Sequence, residues 1–334
     1  MSPGRLLSID IMRGITLFLM LFVNDLYSPG VPTWLVHSQV SQDGMGLADW
    51  VFPGFLFMVG LAIPYAVETR KKKGRSTAQI YGHVLIRTLS LLLIGVLMVN
   101  IPRLNPQLTT MSTELWAILV YGCIFLIWNH YPKPSKNTKI FRLLRVLGVV
   151  ALVCLVVLFK AGTTKNPDGL DTSWWGILGL IGWGYLTASV AFLATRGKLF
   201  GVIVIWLLFL MLNIASQLGS LDSMNALDPY IGVLLSGTIP TIVLSGLVVG
   251  MLVKTYKNNV VKLMGILVAL GVFFLLLGLS LHQYFIVSKI LGTPSWVMYC
   301  SGISVLFSVY CLLFWMFLDG LDGPTYFYLL GKIL

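Results

Sequence analysis

Stretches of 18 or more mostly apolar residues recur along the whole chain, and each is long enough to cross a hydrocarbon core of about 30 Å at about 1.5 Å per residue. Ten are predicted, over 9–27, 47–67, 80–101, 112–131, 141–160, 174–195, 199–219, 230–253, 260–284 and 295–318. An eleventh begins near Thr325 and is too short to span before Leu334. A soluble globular domain is excluded by 57% hydrophobic residues, 10% charged residues and a mean hydropathy of +0.89. The runs are continuous rather than alternating segments of about ten residues, so helices are predicted and a barrel is not. The expected fold is all-α, a polytopic integral membrane helical bundle forming a single domain over 1–334. Asp10 and Arg13 interrupt the first apolar run and no A-x-A site follows it. No cleaved signal peptide is therefore expected.

Lys and Arg give the orientation, because short loops keep them on the cytoplasmic side. With the N-terminus inside, alternate segments hold Arg5; Arg70, Lys71, Lys72, Lys73 and Arg75; Lys133, Lys136, Lys139, Arg142 and Arg145; Arg196 and Lys198; and Lys254, Lys257 and Lys262. The outside loops hold only Arg103, Lys160, Lys165 and Lys289. The net charge of +11 is thus mostly topological, and no nucleic-acid partner is expected. A functional alternative survives at Arg70 to Arg75, a compact cationic patch suited to the phosphates of a cofactor. Two outside loops, Ser28 to Gly46 and Leu218 to Asp228, contain no Lys or Arg and are candidates for contact with something polar.

An ionisable side chain inside a span is costly unless paired or wet, so it points to a purpose. On helix 1, Asp10, Arg13 and Asn24 fall on one stripe at about 100° per residue. Asp49, Pro53, Gly60, Pro64 and Glu68 do so on helix 2, and His83, Arg87 and Ser90 on helix 3. Three consecutive polar faces predict a hydrophilic conduit, running from the basic loop towards His37 in the first outside loop. Each residue also has a plainer reading. A loop His is ordinarily solvated, Asp49 suits a helix N-terminus, and Arg13 and Arg87 can reach an interface along their stems. His130 and His282 sit at span ends and read as incidental. Cys123, Cys154, Cys300 and Cys311 all fall in spans and read as small apolar residues, with no disulfide or metal framework.

RLLSIDIMRGITLFLMLFVND, then His37, then GLADWVFPGFLFMVG resembles the start of the membrane domain of heparan-α-glucosaminide N-acetyltransferases, a start shared by bacterial relatives of unassigned substrate. The resemblance runs from about Arg5 to Asn100, through the basic loop and LLLIGVLMVN, and is loose beyond. The S-I-D-x-x-R-G start and the G-L-A-D-x-x-F-P block carry it. It implies acetyl transfer from cytoplasmic acetyl-CoA, with His37 and Asn24 at the family's reacting positions. Asp10, Arg13, Asp49 and Arg87 match further polar positions, and are expected to line the site. Three departures stand out. The loop between His37 and Gly46 is about two residues longer and lacks the Trp-Asn before Gly-Leu. The Gln-Arg pair of helix 4 is replaced by Trp116 and Ala117. The chain ends at Leu334 without the family's C-terminal His-Glu helix, which is either cut off or dispensable.

The chemistry suits these residues. Acetyl transfer to an amine requires a base for the proton of the attacking nitrogen and donors for the tetrahedral oxyanion. His37 is the expected base or acyl carrier, Asn24 a donor to the oxyanion or the imidazole, and Asp49 the holder of the other ring nitrogen. Arg70, Lys71, Lys72, Lys73 and Arg75, with Arg13 and Arg87, would face the nucleotide phosphates. The site thus falls within 1–101, with 112–334 as supporting helices. The expected function is transfer of an acetyl group to a glucosamine-type sugar or glycan on the outer side of a bacterial cytoplasmic membrane, without a metal and with a homodimer left open. Two alternatives stand: a sugar or acid transporter using Asp10, Arg13, Asp49 and Arg87, which broken helices would favour, and O-acetylation of an envelope glycan.

Overall fold

Apolar runs and the residues that punctuate them set the helices. The computed structural model describes residues 7–132 and 138–321, and in those segments the chain is almost entirely helical. The helices are α1 (Leu7–Asn24), α2 (Leu47–Lys72), α3 (Thr77–Asn100), the single turn α4 (Pro106–Thr109), α5 (Thr113–Trp128), α6 (Thr138–Leu158), α7 (Gly176–Ala194), α8 (Leu199–Gln217), α9 (Asp228–Leu235), α10 (Thr238–Tyr256), α11 (Val260–His282) and α12 (Pro294–Leu321). Two short strands, β1 (Ala161–Gly162) and β2 (Pro167–Asp168), pair antiparallel. Among the described residues eight helices are long and apolar enough to cross a membrane, and two shorter apolar helices, Ile11–Asn24 and Thr113–Trp128, fill the remaining predicted positions. The protein is an integral membrane protein by these criteria. The segment from Thr325, the cations Arg5, Lys133, Lys136 and Lys332, and the side chain of Asp10 lie outside the described residues.

One unit comprises residues 1–86 and 183–334. Its tightest packing is between α2 and α10, where glycines bring the two backbones into contact. A Cβ on Gly60 would stand 1.8 Å from the Val243 carbonyl oxygen, one on Gly246 1.9 Å from that of Phe57, and one on Gly250 2.3 Å from that of Leu61. Small residues at such spacing are how membrane helices approach closely where no hydrophobic drive separates protein from lipid. α12 is tied to α2 by the Trp50 indole N–H, which donates to Ser304 Oγ at 3.1 Å.

The predicted span 230–253 is broken rather than continuous. Gly237, at φ +66°, ends α9 and starts α10. Buried Asn213 on α8 donates through Nδ2 to the Ser236 and Gly292 carbonyls and to Thr238 Oγ1, at 2.9 to 3.0 Å. A Cβ at residue 237 would meet the Phe209 carbonyl oxygen at 2.3 Å, so the turn needs glycine both for its left-handed backbone and for its space.

The other unit, residues 87–182, has its own core around Trp116, Leu97, Val120, Leu152, Leu155 and Phe159. Trp116 is fully buried, with its indole N–H donating to the Leu155 carbonyl at 3.2 Å. The residue that departs from the resemblance on helix 4 is therefore a core residue. At one end of this unit buried Asn100 donates to the Val96 and Asp171 carbonyls and accepts from Arg103, which is paired with Asp168 at 2.9 Å. Arg103 thus clamps the end of α3 to the connection between α6 and α7.

The predicted conduit differs from what the helices do. α1 buries Met12, Thr16 and Val23, while Arg13 and Asn24 are exposed about a quarter turn round the helix. A cavity against this helix is lined by Met12, Met58, Leu61, Leu267 and Leu312, with Ser308 its polar member. His83 and Arg87 are exposed on α3. The physical reason is desolvation: packing the apolar side of α1 inward leaves its cation accessible, whereas the reverse would bury it.

Candidate active site

The N-terminus of α2 is where sequence and geometry converge. Gly46 caps the helix in an extended conformation, and Asp49, three residues into it, accepts the Gly46 backbone N–H at 3.0 Å through Oδ2. The same oxygen accepts the Ser38 N–H at 2.9 Å. Leu47 and Ala48 donate their amides to the Trp34 and Leu35 carbonyls, so the strand of loop before His37 lies along the helix start. A Cβ on residue 46 would stand 2.1 Å from the Val36 carbonyl oxygen, and glycine is what permits this approach. The outcome is that His37 Nδ1 lies 2.8 Å from Asp49 Oδ1.

Asp49 is 1% exposed while the His37 side chain is 47% exposed, so the carboxylate is a fixed internal partner and the imidazole is accessible. With Nδ1–H donating to the carboxylate, the basic lone pair is on Nε2, the nitrogen without a protein partner among the described residues. Pro53 cannot return the helical hydrogen bond to the Asp49 carbonyl, and the thiol of buried Cys300 on α12 lies 4.0 Å from that oxygen.

A second loop, between α11 and α12, completes the cluster. Lys289 Nζ lies 3.1 Å from His37 Nδ1, 3.8 Å from Asp49 Oδ1 and 3.5 Å from the Ala48 carbonyl oxygen. Burial pulls its ammonium below the ordinary Lys value, with Asp49 opposing that shift. Asp43 joins the two loops: its carboxylate accepts the Val287 N–H at 2.8 Å and contacts His282 Nε2 at 2.9 Å. These contacts, the backbone hydrogen bond first, hold the Asp43 carboxyl below its ordinary 3.8. His282, incidental by sequence, is thus a structural partner, and Lys289, counted only as a loop cation, belongs to the cluster. In the sequence Lys289 is one of four cations in the predicted outside loops, which does not single it out.

The structure brings His37 and Asp49 together and places the other candidates elsewhere. Asn24 is exposed at the end of α1 and makes no side-chain hydrogen bond among the described residues. Arg13 is on the exposed side of the same helix, and Arg87 lies on α3 in the 87–182 unit. Arg70 donates to the Ala66 carbonyl and contacts His83. Lys72 and Lys254 both pair with Glu68, at 3.0 and 2.7 Å. Lys71, Lys73 and Arg75 are exposed, with no carboxylate partner among the described residues. None of the described His, Cys, Asp and Glu side chains gather in threes as metal ligands.

The family model described as a domain of unknown function, DUF5009, matches residues 5–225, about two thirds of the chain. The chain belongs to that family. Within the DUF5009 match lie α1, α2, His37 and Asp49, whereas Lys289 and the loop that carries it lie beyond it. Over 98 residues the chain is 38% identical to heparan-alpha-glucosaminide N-acetyltransferase of Homo sapiens, and over 99 residues 37% identical to the same enzyme of Mus musculus. These stretches are 29% and 30% of this chain and 14% of each relative.

Proposed function

We propose that the protein is a transmembrane acetyltransferase that moves an acetyl group from acetyl-CoA to the amino group of a glucosamine-type acceptor. The observation that carries this reading is the accessible His37 imidazole, held through Nδ1 by a buried carboxylate. Base plus orienting acid is what acyl transfer requires of its proton acceptor. The 37–38% identity to N-acetyltransferases supports it.

In this reading the acceptor nitrogen attacks the thioester carbonyl while His37 Nε2 takes its proton. The carbon–sulfur bond then breaks, and the CoA thiolate leaves with the proton from His37. Asp49 keeps the imidazole oriented and stabilises the imidazolium. Asn24, exposed and without a side-chain hydrogen bond among the described residues, is the proposed donor to the oxyanion, and Arg13, exposed on the same helix, is the proposed lining of the substrate path. Lys71, Lys73 and Arg75, with no carboxylate partner among the described residues, offer three cations to the donor's phosphates, and Arg70 and Lys72 add to the field. The alternation of basic loops supports a cytoplasmic position for this end of α2 and for the N-terminus, and the proposed membrane is a bacterial inner membrane.

Asp49 and Arg70 stand about 31 Å apart along α2, the thickness of a hydrocarbon core. Phosphate binding and proton transfer therefore belong to opposite faces, and transfer runs across the membrane. The break at Gly237 favours the transporter alternative, since broken helices build transporter sites. The Ser236 carbonyl at the break accepts from Asn213 Nδ2, however, and Asn213 Nδ2 and Thr238 Oγ1 both donate to the Gly292 carbonyl, so the donors beside the break are engaged within the protein. O-acetylation of an envelope glycan keeps the mechanism and changes the acceptor.

The test is a product assay on purified protein with labelled acetyl-CoA and a panel of amino sugars and glycans, run beside thermal unfolding with CoA. Labelled N-acetyl product and a raised unfolding midpoint with CoA are expected. Neither product nor stabilisation, with uptake of the sugar into vesicles, would sink the reading.

A further inference from the structure

We infer that Lys289 is a positioning residue whose fixed ammonium keeps the His37 imidazole unprotonated beside the Asp49 carboxylate. The inference deepens the acetyl-transfer reading and rests on it. A buried carboxylate 2.8 Å from Nδ1, acting alone, favours the imidazolium. The imidazolium has a proton on Nε2 and cannot take one from an amine. With Nδ1–H given to the carboxylate, the ammonium 3.1 Å from Nδ1 does not donate to that nitrogen; it faces Asp49 Oδ1 at 3.8 Å and the Ala48 carbonyl at 3.5 Å, and its charge opposes a second positive charge on the ring.

The loop is built to hold this one side chain in place. On its first side, Asp43 accepts the Val287 N–H and Val287 O accepts the Gly44 N–H. On its second side, Leu291 O accepts from Gln217 Nε2 and Gly292 O from Asn213 Nδ2. Between them Ser288 N–H donates to Thr293 Oγ1, and Ser295 Oγ closes onto the Ile286 carbonyl. A lysine serving only as a surface cation needs no such frame. The side chain is 27% exposed, consistent with a charge directed inward. The titratable groups around it are Asp49 on α2, the Cys300 thiol on α12, and the Asp43–His282 pair between the loops.

The experiment measures carbethoxylation of His37 by diethylpyrocarbonate across pH on the full chain, read by mass spectrometry of the modified peptide. It needs no turnover, because only the unprotonated imidazole reacts. Lys289→Met and Lys289→Gln are compared with Lys289→Arg and wild type; two neutral variants are used so that misfolding of one leaves the other to decide. The midpoint is expected to rise by about one pH unit or more in the neutral variants and to stay put in Lys289→Arg. In the product assay the same neutral variants should lose kcat at neutral pH and regain it at higher pH, with KM little changed. A midpoint unmoved in both neutral variants, or moved as far by Arg, would overturn the role. A shifted midpoint in a protein that transfers no acetyl group would uphold the charge role and sink the acetyl-transfer reading instead.

Discussion

Asp49 uses two oxygens for separate tasks: Oδ2 takes the Ser38 and Gly46 amides and fixes the loop, and Oδ1 takes the imidazole. Substitution should separate them. Asp49→Ala strands the buried Gly46 amide at about 1–3 kcal/mol and frees the part-buried Ser38 amide, which thermal unfolding in detergent would register as a lowered midpoint. Asp49→Asn keeps the shape but loses the charge, and should lower acetyl transfer at least about 100-fold at near-native stability. Asp43 gives a pH prediction. Its carboxyl is held below 3.8, so its contribution to joining the loops is complete above that value and is lost as pH falls through the lower folded value. Amide exchange at Val287 should accelerate over that acidic range, and in Asp43→Asn it should be fast at every pH. At this scale the sequence was informative where partners lie close along the chain, as with His37 and Asp49. Lys289 escaped because its partner is 252 residues away, and one sequence without contacts carries no signal of that pairing.

Among the elements, most helix positions were readable from apolar length, because a span needs about 20 residues whatever its neighbours, but the break at Gly237 within 230–253 was not. Which face meets which neighbour was not. The stripe of Arg13 and Asn24 on α1 was correct as geometry, yet the helix packs through Met12, Thr16 and Val23. A helical wheel ranks faces without saying what lies opposite. The same gap hid the α2–α10 contact, whose glycines matter only in pairs across the interface. Gly246→Ala should therefore lower stability by about 1–3 kcal/mol, measured as loss of the thermal midpoint, because its Cβ would meet backbone rather than a movable side chain. Gly265→Ala, with open space around it, should leave the midpoint unchanged or slightly raised.

For the molecule as a whole, composition settled the solvent, and the distribution of Lys and Arg proposes its orientation. In the proposed reading α2 spans between proton transfer at the His37–Asp49 pair and phosphate binding at the basic turn. Replacing Lys71, Lys73 and Arg75 together by Gln should weaken CoA binding about tenfold, read by titration calorimetry, without moving the unfolding midpoint, since all three are exposed. The central claim is that the imidazole on one face completes a transfer begun on the other. Sealed vesicles holding labelled acetyl-CoA inside, with the basic turn facing inward and glucosamine only outside, test it most directly. Wild-type protein should place label on external glucosamine, and His37→Ala of equal folding should place at least about 100-fold less; no external product, or equal product from the variant, would contradict the account.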